Sequence, residues 1–229
     1  MDRILRGVEG WQEAIANAVA TASRPIAADP RFAPRPAVVD PLATPRYDRS
    51  AFPPARAAAT LLLVYPARDG ELSLPLTVRH ADLRSHAGEI SLPGGAVDPA
   101  DASPEAAALR EAHEEVGIDP ASVTIVGALD DVWIPVSNFE LRPFVGTAAA
   151  RPIFARHADE VAEIVELPLR RLLADAVVSE ELIEGLGWSL RAAVYRHDGH
   201  RIWGATARTL AMFAAVLHEA GIGSQQIGS

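Results

Sequence analysis

The residues best suited to chemistry lie between positions 92 and 118. They are Leu92-Pro93-Gly94-Gly95-Ala96-Val97-Asp98, then Asp101, then Arg110-Glu111-Ala112-His113-Glu114-Glu115-Val116-Gly117-Ile118. Ser103 suits an N-cap, Pro104 the first helical position, and Glu105 the positive helix start. Gly117 suits a left-handed cap, so the spacing predicts a helix over 104–116. On that helix Glu111, Glu114 and Glu115 fall within an arc of roughly 100°. Three carboxylates on one face repel each other, whereas grouped hard oxygen donors suit Mg2+ or Mn2+. The Pro93-Gly94-Gly95 turn carries little bulk. It can bring a backbone carbonyl to the same ion and let a phosphate approach closely. Arg110 can pair with Asp101 and pin the turn to the helix. A Glu-Glu pair alone would read as solvated surface; the whole spaced constellation does not.

Other chemistries are excluded by what is missing. His113-Glu114-Glu115 is no zinc HExxH site, because Gly117 stands where a second His is required. Gly94-Gly95 is no P-loop, because no Gly-Lys-Ser/Thr follows, and no Ser-centred nucleophile elbow is present. Gly221-x-Gly223 has no strand before it and no helix after it, so it is no dinucleotide fingerprint. The absence of cysteine removes disulfides, thiolate metal sites and a Cys nucleophile. A net charge of −9 argues against coating nucleic acid or an anionic membrane, since both need clustered positive charge. It leaves room for an anionic small molecule with a metal ion between the two. No apolar run is long enough to cross a bilayer, and the expected location is the cytoplasm.

With these residues in place, the chain resembles the Nudix family. The usual box is Gly, five residues, Glu, seven residues, then Arg-Glu-apolar-x-Glu-Glu-x-Gly-apolar. Its second half matches in full at Arg110, Glu111, Ala112, Glu114, Glu115, Gly117 and Ile118. Its first half departs: Gly95 is followed after five residues by Asp101 rather than Glu, and eight residues separate Asp101 from Arg110. Upstream, Leu76-Thr77-x-Arg79, Arg84, Gly88 and Pro93-Gly94-Gly95 resemble the additional motif of the coenzyme A pyrophosphatase branch. Pro75, His80 and Leu92 differ from that motif. The branch is similar in carrying an Asp and an extra residue inside its box. Asp159–Leu169 and Ile202–Ala207 look like it too, so the resemblance covers about residues 57–218.

The resemblance implies metal-dependent hydrolysis of the diphosphate of coenzyme A, or of acyl-coenzyme A, to 3′,5′-ADP and 4′-phosphopantetheine or its acyl form. Glu111, Glu114, Glu115 and the Gly95 carbonyl would hold Mg2+ or Mn2+. A carboxylate would activate water: Glu114 or Glu115 within the helix, or Glu160 on a downstream loop. Arg79, Arg84 and His86 would supply positive charge for the phosphates, for which Arg is suited by its two-pronged geometry. Asp101 and Arg110 would be structural. The alternatives are a Nudix pyrophosphatase for ADP-ribose, NADH or dinucleoside polyphosphates, and a non-catalytic nucleotide-binding module. The implied partner is a small molecule, with no nucleic acid and no membrane. A homodimer is also implied, to which a Trp11 stripe would contribute.

The elements that must position these residues read as α/β. The resemblance implies an α/β/α sandwich with a mixed sheet between helices. Ile4, Val8, Trp11, Ile15, Ala18 and Ala22 predict one N-terminal helix. Residues 25–54 hold eight of the 18 prolines and read as an extended arm. This gives a helix-and-arm segment over 1–55 and a catalytic domain over 56–229. Strands are expected at Ala58–Tyr65, Leu72–Arg79, Val123–Leu129, Leu141–Ala148 and Val161–Leu167, then a short helix near 168–174. Asp69-Gly70 and Asp198-Gly199 mark hairpins, the second flanked by Leu190–Tyr195 and His200–Trp203. A last helix is expected from Ala205 to Glu219 with Leu210, Phe213, Ala214 and Leu217 inward, followed by a frayed tail over Gly221–Ser229.

Overall fold

Strand β2 (Arg56–Pro66) organises the molecule, here a computed structural model describing residues 4–33, 35–37, 48–80, 89–174, 178–185 and 188–223. Its apolar run is buried on both faces, the pattern of a central strand. Ala59, Leu61, Leu63 and Tyr65 face helix α2 (Pro104–Val116), meeting Ala107, Ala108, Ala112 and Val116. Ala58, Leu62 and Val64 face the opposite way. There they join a cluster with helix α1 (Trp11–Thr21) and helix α4 (Gly204–Glu219). Helices thus cover both faces of a mixed sheet, the expected architecture.

Beside β2 run β8 (Phe139–Thr147), parallel to it, and the short β5 (Gly94–Ala96), antiparallel. β3 (Leu72–Arg79) meets β2 only at Tyr65↔Ser73 and Pro66↔Leu72, just outside the Asp69-Gly70 turn. Beyond that point β3 pairs instead with β9 (Val161–Pro168) and β4 (Ile90–Ser91). β6 (Thr124–Ala128) and β7 (Val132–Ile134) extend the sheet along β8. After the short α3 (Leu169–Leu172) comes a second, antiparallel sheet. It contains β1 (Arg35–Pro36), β10 (Val178–Gly185), β11 (Trp188–His197) and β12 (His200–Ile202). The β11–β12 hairpin turns at Asp198-Gly199, with Asp198 at φ 47.

The N-terminal expectation needs correction. α1 begins at Trp11, because Gly7 and Gly10 take left-handed backbone (φ 61 and 89); Ile4–Arg6 is a separate 3-10 turn. Trp11, Ile15, Ala18 and Val19 lie in the same buried cluster as β2 and α4. The Trp11 stripe is therefore covered within the chain and is not a surface for a second copy. The chain entering the arm and the arm's first residues are also fastened down. Ser23 bonds to Glu219, Arg24 to Asp130 and the Ala128 carbonyl, and Phe32 stacks on Tyr195 at 4.7 Å. Residues 34, 38–47 and the tail from 224 lie outside the described residues. Trp11→Ala is expected to lower stability by about 3–5 kcal/mol, read as a lower urea midpoint. An unchanged midpoint would mean that α1 is not part of this core.

Candidate active site

The ends of α2 fix its rotational setting and hence the direction of its glutamates. Ser103 Oγ accepts the Ala106 amide at 3.1 Å, Pro104 opens the first turn, and Gly117 closes the helix at φ 72. With the alanine face against β2, the three glutamates do not share one environment. Glu115 is buried at 4% exposure, the Glu111 side chain is 19% exposed, and the Glu114 side chain is 56% exposed.

The glycine turn completes this packing. Gly94 adopts φ 153, and a Cβ there would lie 2.4 Å from the Ala59 carbonyl oxygen. Its amide donates to Glu115 Oε2 at 3.2 Å. A Cβ on Gly95 would stand 2.6 Å from the Glu111 carboxyl carbon. Gly94 thus lets the turn lie close against β2, and Gly95 leaves the space that the Glu111 carboxylate fills.

Arg110 ties the turn to the helix. Its Nε and Nη2 donate to the two Asp101 oxygens at 2.9 and 3.0 Å, and Nη2 also reaches the Ala96 carbonyl at 3.3 Å. The short Asp side chain reaches because a tight turn presents it: Asp101 N–H donates to the Asp98 carbonyl, and Asp98 N–H to Asp101 Oδ2. Arg110 Nη1 spans Glu111 and Glu114, both at 2.9 Å. The Arg110–Glu114 spacing of four residues was the available sequence signal for that second role.

Burial raises the Glu115 carboxyl to about 7. The Gly94 amide opposes this, Glu111 adds to it, Arg79 opposes it and Glu160 adds to it. Burial also raises Glu111; Arg110 counteracts this, while Glu114 and Glu160 add to it. Arg79 ends β3 with its amide on the Glu89 carbonyl at 2.9 Å, and its Nε is buried without a hydrogen-bond partner among the described residues. Glu160 is exposed just before β9, its carbonyl accepting the His80 amide at 2.9 Å. Arg79, Glu111, Glu115 and Glu160 are therefore electrostatic neighbours. Arg84 and His86 lie in 81–88, outside the described residues.

Among the described residues, no three His, Asp or Glu side chains are already gathered as a metal cage. Two buried-side carboxylates with raised pKa, set against a glycine turn whose carbonyls carry no side-chain screen, nevertheless fit a hard cation. Sequence reasoning placed Glu160 on a downstream loop but missed how that loop, 148–160, is held: its Ala155 and His157 amides dock on the Val116 and Glu115 carbonyls. Backbone donors leave no signature in residue type.

A NUDIX domain model matches residues 55–184. The chain belongs to the Nudix family. Nudix hydrolases act on pyrophosphate linkages and generally use divalent metals such as Mg2+ or Mn2+. The protein named Uncharacterized Nudix hydrolase NudL of Citrobacter koseri is 42% identical over 149 residues, 65% of this chain and 70% of that one. The NudL protein of Cronobacter sakazakii is 38% identical over 178 residues, 78% of this chain and 91% of that one. Among solved structures, the M. smegmatis Nudix hydrolase RenU covers 75% of this chain and 92% of its own, with 21% identity and TM-score 0.46. The Nudix domain of Shewanella oneidensis NrtR, solved with ADP-ribose, covers 59% and 87%, with 18% identity and TM-score 0.43. No helix among the described residues is long and apolar enough to cross a membrane.

The raised Glu115 pKa has a definite sign. The folded, metal-free protein holds this proton more tightly than the unfolded chain. The resulting stability is present in full below about pH 4.5 and is lost as pH rises through about 7. In EDTA, urea unfolding of Glu115→Gln should lack this fall between pH 5 and 8. An identical pH profile in both proteins would contradict burial of an ionisable Glu115.

Proposed function

We propose that this Nudix hydrolase cleaves the diphosphate of coenzyme A or acyl-coenzyme A, releasing 3′,5′-ADP and 4′-phosphopantetheine or its acyl form. The observation that carries the hydrolytic reading is the fit of Glu115 and Glu111 against Gly94 and Gly95. The coenzyme A assignment is supported by the Leu76-Thr77-x-Arg79 to Pro93-Gly94-Gly95 pattern, which resembles the coenzyme A pyrophosphatase branch.

Glu111, Glu114, Glu115 and the Gly95 carbonyl would hold Mg2+ or Mn2+. Such an ion neutralises phosphate charge and makes a bound water more acidic. Arg110 must release Glu111 and Glu114 for both to turn toward a cation, while its two bonds to Asp101 keep it in place. Arg79 offers its unpartnered Nε–H to a phosphate oxygen. Arg84 and His86 would add positive charge, and Gly94 would permit close approach.

Glu160 is the stronger candidate for the base that takes the water's proton. Glu115 is engaged with the Gly94 amide and Glu114 with Arg110, whereas the Glu160 side chain faces solvent beside both Glu111 and Glu115. Chromatography of products from coenzyme A, acyl-coenzyme A, ADP-ribose, NADH and a dinucleoside polyphosphate tests the substrate. Turnover of ADP-ribose without turnover of coenzyme A or its thioesters would overturn the assignment.

Two substitutions separate the carboxylate roles. Glu115→Gln should weaken Mg2+ binding in calorimetry and lower kcat by at least about 100-fold. Glu160→Gln should leave Mg2+ binding within about twofold and lower kcat by about 10²- to 10⁴-fold. Full activity in either variant would remove the corresponding role.

A further inference from the structure

The thirteen residues 148–160 join β8 to β9 without a helix or strand of their own. Connections of that length in a compact domain usually carry function. Here the loop ends in Glu160, so its fixation decides where that carboxylate stands.

Two sets of contacts hold the loop. The first is main-chain. Ala155 N–H donates to the Val116 carbonyl at 2.9 Å and His157 N–H to the Glu115 carbonyl at 2.8 Å, satisfying acceptors that the end of α2 leaves open. The His157 carbonyl in turn accepts the Glu160 amide at 3.1 Å. The backbones of Glu115 and Glu160 are therefore linked through one residue. Gly117 makes the docking possible, because a Cβ there would lie 2.9 Å from the Ala155 Cβ and 3.0 Å from its nitrogen.

The second set is a side-chain clamp. Arg151 grips Glu166 of β9 through Nε and Nη2, with contacts of 2.7 to 3.2 Å. Tyr65 of β2 donates its hydroxyl to the same carboxylate at 2.8 Å. Phe154 lies between them, its ring edge-on to Tyr65 at 5.6 Å with the Arg151 guanidinium 4.9 Å from its centroid. One loop residue is thus tied to the central strand and another to the strand that Glu160 leads into.

We infer that Arg151 and Tyr65, acting through Glu166 and Phe154, are positioning residues that hold the 148–160 loop so that Glu160 stands beside the Glu111–Glu115 pair. The inference rests on the proposed role of Glu160. A misplacement of about 1 Å in a reacting group can cost about 100-fold in rate, so a loosened clamp should act on kcat.

The test is a double-mutant cycle. Steady-state kinetics are measured with coenzyme A and, in parallel, ADP-ribose, each with Mg2+, well below every variant's Tm. Arg151→Ala should lower kcat by about 10- to 100-fold with KM changed by less than about threefold. Arg151→Lys keeps the charge but loses the fork, and should recover part of the loss. In the Glu160→Gln background, Arg151→Ala should cost nothing further, because the group it positions is already gone. Equal loss in both backgrounds, or no loss of kcat at all, would overturn the inference while leaving the Glu160 reading intact. Full activity of Glu160→Gln alone would overturn both. If Arg151→Ala does not fold, Tyr65→Phe removes only the hydroxyl and should give the same pattern at several-fold size.

Discussion

A carboxylate kept almost out of water is the constraint on which the site depends. Glu115 is 4% exposed, has the Gly94 amide as its hydrogen-bond donor, and has Glu111 and Glu160 as negative neighbours. Burial of a charge is costly unless a partner compensates it. Without a cation the protein meets that cost in part by retaining a proton near neutral pH. The packing around Glu115 is arranged to make the position unavoidable. Four residues of β2 hold the alanine face of α2, Gly94 brings its amide to Glu115 while lying close against β2, and Gly95 leaves room for the Glu111 carboxylate.

Such a site needs a rigid floor, and β2 provides it by being buried on both faces. Leu61 and Leu63 serve α2, while Leu62 and Val64 serve the cluster containing α1 and α4. Each large side chain on this strand contributes on the order of 1.5–3 kcal/mol through burial. The N-terminal helix lies outside the matched family region, 55–184, yet its Trp11 and Ile15 pack into that second cluster. It completes the apolar layer behind β2, on the face opposite α2.

Much of this was legible in residue order, for identifiable reasons. α2 announced both ends through Ser103-Pro104 and Gly117, and α4 announced its inner face through Leu210, Phe213, Ala214 and Leu217. The strand run 58–65 and both hairpin turns were equally plain. β4, β5 and β7 were not, since two or three residues cannot display a period. β10 was hidden by Glu180, Glu181 and Glu184, and only its pairing along β11 makes it a strand. The N-terminal periodicity misled because apolar spacing continues across Gly7 and Gly10, where the backbone turns. At the site, residue types singled out the carboxylates of the proposed metal site. They could not reveal the graded burial of those groups, which follows from how α2 rests on β2.

Arg110 holds the acidic side of the candidate site together. Three acidic groups, Asp101, Glu111 and Glu114, converge on its guanidinium. Its bonds to Asp101 and the Ala96 carbonyl use Nε and Nη2, on the side away from the glutamates, and serve the loop alone. Its bonds to Glu111 and Glu114 both use Nη1 and neutralise carboxylates that would otherwise repel. Under the proposed metal binding, a divalent cation competing for those two glutamates would leave the loop-side bonds of the arginine available to hold it. The same geometry makes Lys a poor substitute, since a single ammonium cannot serve both sides at once. The excess of acid over base in the whole chain is thus answered locally, by one planar cation shared between structure and site.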